Sequence, residues 1–203
     1  MSYANSTSNR RRYLVLGVAA IVIVLALISA FAWPGWAINR QQSESQTTST
    51  QSAQTTKPTI KASALPDDAS ELLKAMPDTV DAYARVKSAA TKDWTSSKPI
   101  EEYALTYSQG GKNTDKDMAL HVAQWSTANE AETQYEALVG ELKGTVLAQG
   151  SVKVSGANKG SYVVKADDAD KNKAIAVWQN GTAVFQVSGD KDAVLTFYQR
   201  FPL

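Results

Sequence analysis

The sequence KAIAVWQNGTAVFQVS, residues Lys173–Ser188, decides the fold because it has the pattern of a β-hairpin. Two apolar runs flank Asn180-Gly181, the dipeptide that a type I′ turn prefers because both of its central residues need positive φ. Such a turn fixes how the two strands pair. The stretch therefore predicts two neighbouring antiparallel strands near the end of the chain.

Both faces of this hairpin carry apolar side chains. The predicted register places Val177 opposite Val184 on one face, and Ala176 opposite Phe185 on the other face, which also holds Trp178. An antiparallel sheet at a protein surface normally shows one polar face to water. Either helices cover both faces, or one face is open as a shallow aromatic groove.

Two predicted strand pairs are each followed by a helical pattern. Strands are predicted over Ile100–Ser108 and Asp117–Trp125, where apolar and polar residues alternate. Thr127 and Glu130 then have the spacing of a capping box that opens a helix. A second helix, over residues 190–201, follows the hairpin directly.

A shift of 62 residues aligns these two units, for example Val122 with Val184 and Tyr135 with Phe197. Coincidence among common residues is the alternative. A true repeat would make each unit a strand, a turn, a strand and a capped helix. The sequence predicts an α+β domain over residues 65–203, with one antiparallel sheet, two to three packed helices and a possible two-fold pseudo-repeat.

The alignment also predicts a candidate surface for a partner or ligand. It places His121 and Trp125 on the same side of the sheet as Trp178 and Phe185. If helices leave this side open, an aromatic groove of this kind suits a partner segment or an apolar ligand.

Shorter elements complete the predicted domain. A helix begins after Pro66, is capped by Asp67 or Asp68 and ends at Pro77. The buried residues of this short helix are Leu72, Leu73 and Met76. Gly144 would cap the end of the longer helix that begins after Thr127. Short strands are predicted over Tyr83–Val86, Val152–Val154 and Tyr162–Val164.

The N-terminal third predicts a membrane anchor. Tyr13–Ala32 has about twenty residues and no charged side chain, the length that a helix needs to cross a bilayer. Arg10, Arg11 and Arg12 precede it, and no such cluster follows it. Because Lys and Arg are retained on the cytoplasmic side, we expect a basic cytoplasmic tail at residues 1–12 and the C-terminal domain outside the cytoplasmic membrane.

The far end of the span has the features of a membrane interface. Trp33 and Trp36 fit the aromatic belt, so the anchor is predicted over residues 13–36. A removable signal peptide is the alternative, since Ala30–Ala32 has the small-x-small pattern of a cleavage site. Residues 37–64, rich in Gln, Ser and Thr, predict a flexible linker because they lack the apolar side chains that offset the entropy of ordering.

Composition excludes several classes of function. The absence of Cys excludes disulfides, thiolate metal sites and thiol nucleophiles. Residues 65–203 carry fifteen Lys and Arg against nineteen Asp and Glu, a charge that does not fit binding to nucleic acid. His121 is the only histidine, so no cluster of histidines can hold a metal. Acidic pairs such as Glu101-Glu102 are interpreted as solvated, and no catalytic residue, cofactor site or metal site is predicted.

Three stretches carry a resemblance to a known group of proteins. They are PDTVDAYARV at residues 77–86, VAQWSTANEAETQYEAL at 122–138 and VWQNGTAVFQVSGDKDAVLTFYQRFPL at 177–203. Together with the arginine-led span and the linker, they resemble small uncharacterised single-pass membrane proteins of actinobacteria with an extracytoplasmic α+β domain. The resemblance implies an α+β domain held outside the cytoplasm by a single membrane span. It implies no catalytic residue.

These patterns favour a non-enzymatic function. The predicted role is a membrane-anchored interaction module, an accessory subunit of a membrane or envelope complex with a protein partner in or on the membrane. A sensor domain that binds a ligand on the aromatic sheet face is one alternative. An unrecognised hydrolase, in which His121 acts as a base, is the other.

The predicted orientation has a direct test. Alkaline phosphatase fused behind Leu203 should be active and should stay in the membrane fraction, because it would be held outside the cytoplasm. The same enzyme inserted before Arg10 should be inactive and serves as the control. Activity in the culture medium, or an inactive C-terminal fusion, would contradict the predicted anchor.

Overall fold

The computed structural model describes residues 57–111 and 114–203. The predicted tail at 1–12, the anchor at 13–36 and most of the linker lie outside these ranges. Within them, no helix combines the length and the apolar composition that crossing a membrane requires.

The described residues form one antiparallel sheet with three α-helices, which confirms the predicted α+β class. The strands are β1 (Thr79–Val80), β2 (Tyr83–Ala90), β3 (Glu101–Ser108), β4 (Met118–Gln124), β5 (Val146–Val154), β6 (Ala157–Ala166), β7 (Lys173–Asn180) and β8 (Ala183–Asp190). The helices are α1 (Glu71–Ala75), α2 (Ala128–Glu141) and α3 (Lys191–Arg200). The order of strands across the sheet is β1-β2-β3-β4-β8-β7-β6-β5.

The pairing of β4 with β8 joins the two halves of the sheet. Val122 lies opposite Phe185, and His121 lies opposite Gln186. Successive side chains of a strand point to opposite faces of the sheet. Val122 and Phe185 therefore share one face, and His121 lies on the other.

The face that holds Phe185 is covered by α3. Trp178 pairs with Phe185 across β7 and β8, and their rings stack with centroids 4.9 Å apart. Phe201, directly after α3, packs edge-on against these two rings at 5.3 and 5.7 Å. Phe197 of α3 contacts Tyr107 of β3 at 5.3 Å. The helix thus buries the aromatic residues at the centre of the sheet.

The opposite face is covered by α2 and by the connection between β2 and β3. Ala131 and Leu138 of α2 and Trp94 of the connection belong to one buried cluster. The sheet residues of this cluster are Ala123, Trp125, Val163, Val177 and Val184. The capping box predicted for Thr127 and Glu130 is confirmed, since both of its hydrogen bonds are present.

The predicted two-fold pseudo-repeat is wrong, although the order strand, strand, helix does recur. The helices α2 and α3 pack on opposite faces of the sheet. A two-fold axis that exchanged the antiparallel strands β4 and β8 would leave both helices on one face. Val122 and Val184, which the 62-residue shift aligns, also point to opposite faces because Val122 pairs with Phe185.

The predicted register of the hairpin is also wrong. Asn180 pairs with Ala183, so the central residues of the turn are Gly181 and Thr182. Only Gly181 has a positive φ, +60°, which is the pattern of a type II′ turn. The observed pairs are Val177 with Gln186, Ala176 with Val187 and Trp178 with Phe185. Because the partners move by two residues, every side chain keeps its predicted face.

The hairpin of β5 and β6 is much longer than the sequence predicts. The sequence predicts short strands at Val152–Val154 and Tyr162–Val164, whereas the observed strands have 9 and 10 residues. Ser155 and Gly156 both have positive φ, so the type I′ combination occurs in this hairpin. The strands lack apolar alternation because most of their side chains are exposed or half-exposed.

The ends of two helices differ from their predictions. Ser70, and not a preceding aspartate, caps α1 by accepting a hydrogen bond from the N–H of Leu73. Gly144 does not have the positive φ of a helix cap. It lies against the carbonyl of Ala166, where a Cβ atom would collide. The predicted buried residues Leu72, Leu73 and Met76 are confirmed.

Arg85 fastens the end of the predicted linker to the sheet. The N–H of Ser63 donates to the Arg85 carbonyl at 2.8 Å, and the Arg85 guanidinium donates to the Ser63 carbonyl at 3.2 Å. The same buried guanidinium bonds Asp78 at 2.7 Å and the Met76 carbonyl at 3.0 Å. Ser63 therefore belongs to the hydrogen-bonded contacts of the sheet.

Truncation of Phe185 should strongly destabilise the domain. Phe185→Ala removes a ring that is stacked on Trp178 and leaves a cavity, so the free energy of unfolding should fall by about 3–5 kcal/mol. Ile100→Ala is the control, since this side chain is 65% exposed and should change stability by no more than about 0.5 kcal/mol. Urea unfolding of the full chain measures both, and equal effects would contradict the assigned core.

Candidate functional site

The four residues predicted to form one partner or ligand surface do not share a face. His121 and Trp125 lie under α2 and the β2–β3 connection, whereas Trp178 and Phe185 lie under α3. The prediction failed because the 62-residue alignment does not preserve the faces of the strands. Trp125, Trp178 and Phe185 are also buried, so these residues form no open aromatic groove. The alternative, in which both faces are covered, is confirmed.

The residues predicted for the membrane interface lie outside the described residues. They are Arg10, Arg11, Arg12, Trp33 and Trp36. Their role remains a prediction.

His121 instead belongs to a compact polar cluster, which we call the Asp93–Glu102–His121 cluster. Glu102 comes from β3, His121 from β4, and Asp93 from the connection between β2 and β3. One ligand atom of each residue lies within 4.8 Å of the others. Three elements thus bring two carboxylates and an imidazole to one point on the sheet.

The Glu102 carboxylate is the buried centre of this cluster. Its Oε1 lies 2.6 Å from Nε2 of His121 and accepts a hydrogen bond from the backbone N–H of Trp94 at 2.9 Å. The Glu102 side chain is 4% exposed, and that of His121 is 18% exposed. Asp93 is exposed to solvent, so the cluster has a closed and an open side.

Trp94 forms a lid over the imidazole. Its ring stacks on that of His121 with centroids 3.9 Å apart and an interplanar angle of 15°. Thr91 holds the connection at one end, because its N–H donates to the Glu102 carbonyl and its hydroxyl to Asp93 at 2.8 Å. At the other end the Trp125 indole donates to the carbonyl of Ser97 at 2.8 Å. The lid is therefore fixed on both sides of Trp94.

The sequence offered little signal for this cluster. The sequence pattern of Glu101-Glu102 predicts a solvated pair, whereas Glu102 is buried inside β3. His121 and Glu102 meet because His121 pairs with Ala104, two residues along β3 from Glu102 on the same face. That register depends on the loop that joins the strands, and loop length alone does not fix it. Asp93 lies in neither a strand nor a helix, so no periodicity identifies it.

The second notable feature is the free edge of β5. β5 ends the sheet, and no described strand pairs with its outer edge. Val146 and Leu147 at its start are 46% and 39% exposed, although both are large apolar residues. At the opposite end of the sheet β1 has two residues, and Ser63 bonds to β2 beside it. The first edge is therefore covered at the start of β2, up to Val86, whereas all nine residues of β5 are without a described partner strand on their outer side.

The hairpin of β5 and β6 is basic in an otherwise acidic domain. Residues 142–166 contain four Lys and no Asp or Glu, whereas the rest of 65–203 has eleven Lys and Arg against nineteen Asp and Glu, a net charge of −8. Lys143 and Lys165 bond to carbonyls at the end of α2. Lys153 and Lys159, near the tip, are exposed. The free edge therefore carries positive charge.

A shallow cleft lies at the start of β4. It has a volume of about 290 Å³, and its charged lining residues are Asp115, Asp117, Asp167 and Lys173. The ammonium of Lys173 donates to the carbonyl of Asp115 and ties the two sides of the cleft together. The cleft has carboxylates but no imidazole.

Comparison with known proteins gives no family. No protein-family model matches this chain. No curated protein matches its sequence. One solved structure with a partial likeness is a GTP binding regulator from Thermotoga maritima, 10% identical, with a TM-score of 0.40 over 61% of this chain and 78% of that chain. A likeness at this level carries no argument about fold or function.

Removal of the Trp94 ring should expose His121. In the Trp94→Ala variant, diethylpyrocarbonate should modify His121 several-fold faster than in the wild-type chain, because the stacked lid is gone. Trp94→Phe keeps a flat ring and should protect the imidazole nearly as well. His121 is the only histidine, so mass spectrometry of an untagged chain reports one site. Equal rates in all three proteins would contradict the lid.

Proposed function

We propose that this chain is a membrane-anchored interaction module outside the cytoplasmic membrane, an accessory subunit that docks a protein partner on the β5 edge. The observation that carries the proposal is the asymmetry of the sheet: β1 and Ser63 cover the start of β2 at one edge, whereas the nine-residue β5 at the other edge has no described partner strand on its outer side. Sequence features supply the rest: the apolar span, the arginines before it and the linker after it.

The free edge of β5 supports docking of an extended strand. A strand at the edge of a sheet has unpaired N–H and C=O groups that can pair with a strand from another chain. Proteins often protect such edges with short strands or covering segments, as this chain does at β1. β5 has nine residues and one charged side chain, Lys153. Binding by strand addition uses backbone hydrogen bonds for affinity and alternate side chains for specificity.

The charges of the hairpin favour a partner with an acidic strand. Lys153 and Lys159 are exposed near the tip, and residues 142–166 contain no carboxylate. Opposite charge across an interface increases the association rate and excludes wrong partners. The apolar side chains of Val146 and Leu147 would contact apolar residues of the same strand. Lipid headgroups share the charge preference but do not need a strand edge.

The predicted linker limits where the partner can be. Since residues near Ser63 already bond to the domain, the part of the predicted linker that precedes these contacts is about 20 residues long. A flexible chain of that length spans on the order of 25 Å. The partner is therefore expected in the same membrane or directly on its surface.

Glutamate substitutions on the β5 edge should abolish the complex. Membranes with the wild-type chain, solubilised gently, should give a complex of fixed stoichiometry. The Val146→Glu/Leu147→Glu variant should lose it, because the added negative charge repels an acidic strand and blocks strand pairing and apolar contact. Ile100→Glu is the matched control, since it adds the same charge at another exposed apolar residue. Size-exclusion chromatography with mass analysis gives the stoichiometry.

Two results would contradict this proposal. One is a chain that stays monomeric in every mild detergent. The other is a complex that survives the β5 substitutions. Loss of sedimentation with anionic lipid vesicles alone, without loss of a protein complex, would assign the basic hairpin to the membrane instead.

A further inference from the structure

We propose that the Asp93–Glu102–His121 cluster binds a divalent transition-metal ion, of which Zn²⁺ fits best. The site lies on the sheet face away from α3 and does not depend on the proposed docking on β5. It is a second binding activity of the same domain.

The size of the cluster fits one ion. The ligand atoms of the three residues lie within 4.8 Å of one another. Zn²⁺ binds imidazole nitrogen and carboxylate oxygen at about 2.0–2.2 Å, so two ligands of one ion lie roughly 3–4 Å apart. Nε2 of His121 and Oε1 of Glu102 are now 2.6 Å apart and share a hydrogen. Binding would replace that hydrogen with the ion and move the two atoms slightly apart.

The donor atoms define the class of metal. One imidazole and two carboxylates suit Zn²⁺ and neighbouring transition metals, because imidazole is a poor ligand for Ca²⁺ and Mg²⁺. Catalytic zinc sites use three protein ligands of these kinds and leave a fourth position for water. Asp93 lies on the exposed side of the cluster, where water can reach the ion.

Neighbouring groups already hold the ligands in place. The Trp94 N–H bonds Glu102 at 2.9 Å, and the Thr91 hydroxyl bonds Asp93 at 2.8 Å. Trp94 stacks on the His121 ring and limits its rotation. Hydrogen bonds of this kind around metal ligands orient them and increase affinity. The apolar indole also shields one side of the site from water.

The cleft with Asp115, Asp117 and Asp167 provides a contrast within the same domain. It gathers carboxylates on the surface, yet it has no imidazole and Lys173 places a positive charge among them. A cation that responded only to general negative charge would bind there as well. Substitutions in the two places therefore separate a specific site from a charge effect.

Calorimetric titration of the full chain in detergent with Zn²⁺ tests the proposal. The wild-type chain should bind one Zn²⁺, and Asp93→Asn should weaken binding at least about tenfold. This substitution is at an exposed residue and leaves the core intact. Glu102→Gln should weaken binding further, whereas Asp167→Asn, the control in the cleft, should leave affinity unchanged. Co²⁺ in place of Zn²⁺ should give visible absorption bands that Asp93→Asn alters.

Three outcomes would overturn the proposal. They are no saturable uptake of one Zn²⁺ per chain, equal affinity in the wild-type and Asp93→Asn chains, and loss of binding in Asp167→Asn. Stronger binding of Ca²⁺ than of Zn²⁺ would overturn the assigned class of metal. None of these results depends on whether a partner docks on β5.

Discussion

The antiparallel pairing of β4 with β8 is the constraint on which the rest of this domain depends. It places Val122 beside Phe185, and so sends His121 and Trp125 to one face and the Trp178–Phe185 pair to the other. A sheet that is apolar on both faces must be covered on both. α3 supplies one cover, and α2 with the Trp94 lid supplies the other.

Because both faces are covered, the two binding features proposed for the described residues lie at a sheet edge and in one polar cluster. The proposed edge pairing and the proposed metal site would use different atoms: the backbone of β5, and the side chains of Asp93, Glu102 and His121. The two features lie on opposite sides of the β4–β8 junction in the strand order, since β3 and β4 precede it and β5 ends the other half. Each can therefore be altered without loss of the other.

The sequence predicted those parts of the fold that local patterns determine. Alternation in β3 and β4 and the capping box at Thr127 identified two strands and a helix, and Leu72 and Leu73 were correctly placed in the core. Long-range pairing was less accessible. The turn of the β7–β8 hairpin lies one residue later than predicted, and this displacement changes the partner of every residue in the hairpin. Exposed strands such as β5 have no alternation of apolar and polar residues from which they could be predicted.

The candidate site was harder still to predict. His121 was singled out because it is the only histidine, but its partners come from a strand whose register was unknown and from a connection without regular structure. Glu102 looked solvated because it follows Glu101, and burial by Trp94 cannot be deduced from spacing. Aromatic residues gave a misleading signal, since Trp125 and Trp178 serve opposite faces of the core.

The central claim is that the domain binds its partner at the open β5 edge of a sheet whose two faces are covered. Hydrogen–deuterium exchange of the full chain, compared between native membranes and purified protein in detergent, tests it most directly. We predict that alternate amides of β5, those that point away from β6, exchange slowly in native membranes and rapidly in the purified chain, while amides of β4 and β8 are slow in both. Rapid exchange along β5 in native membranes would contradict the account.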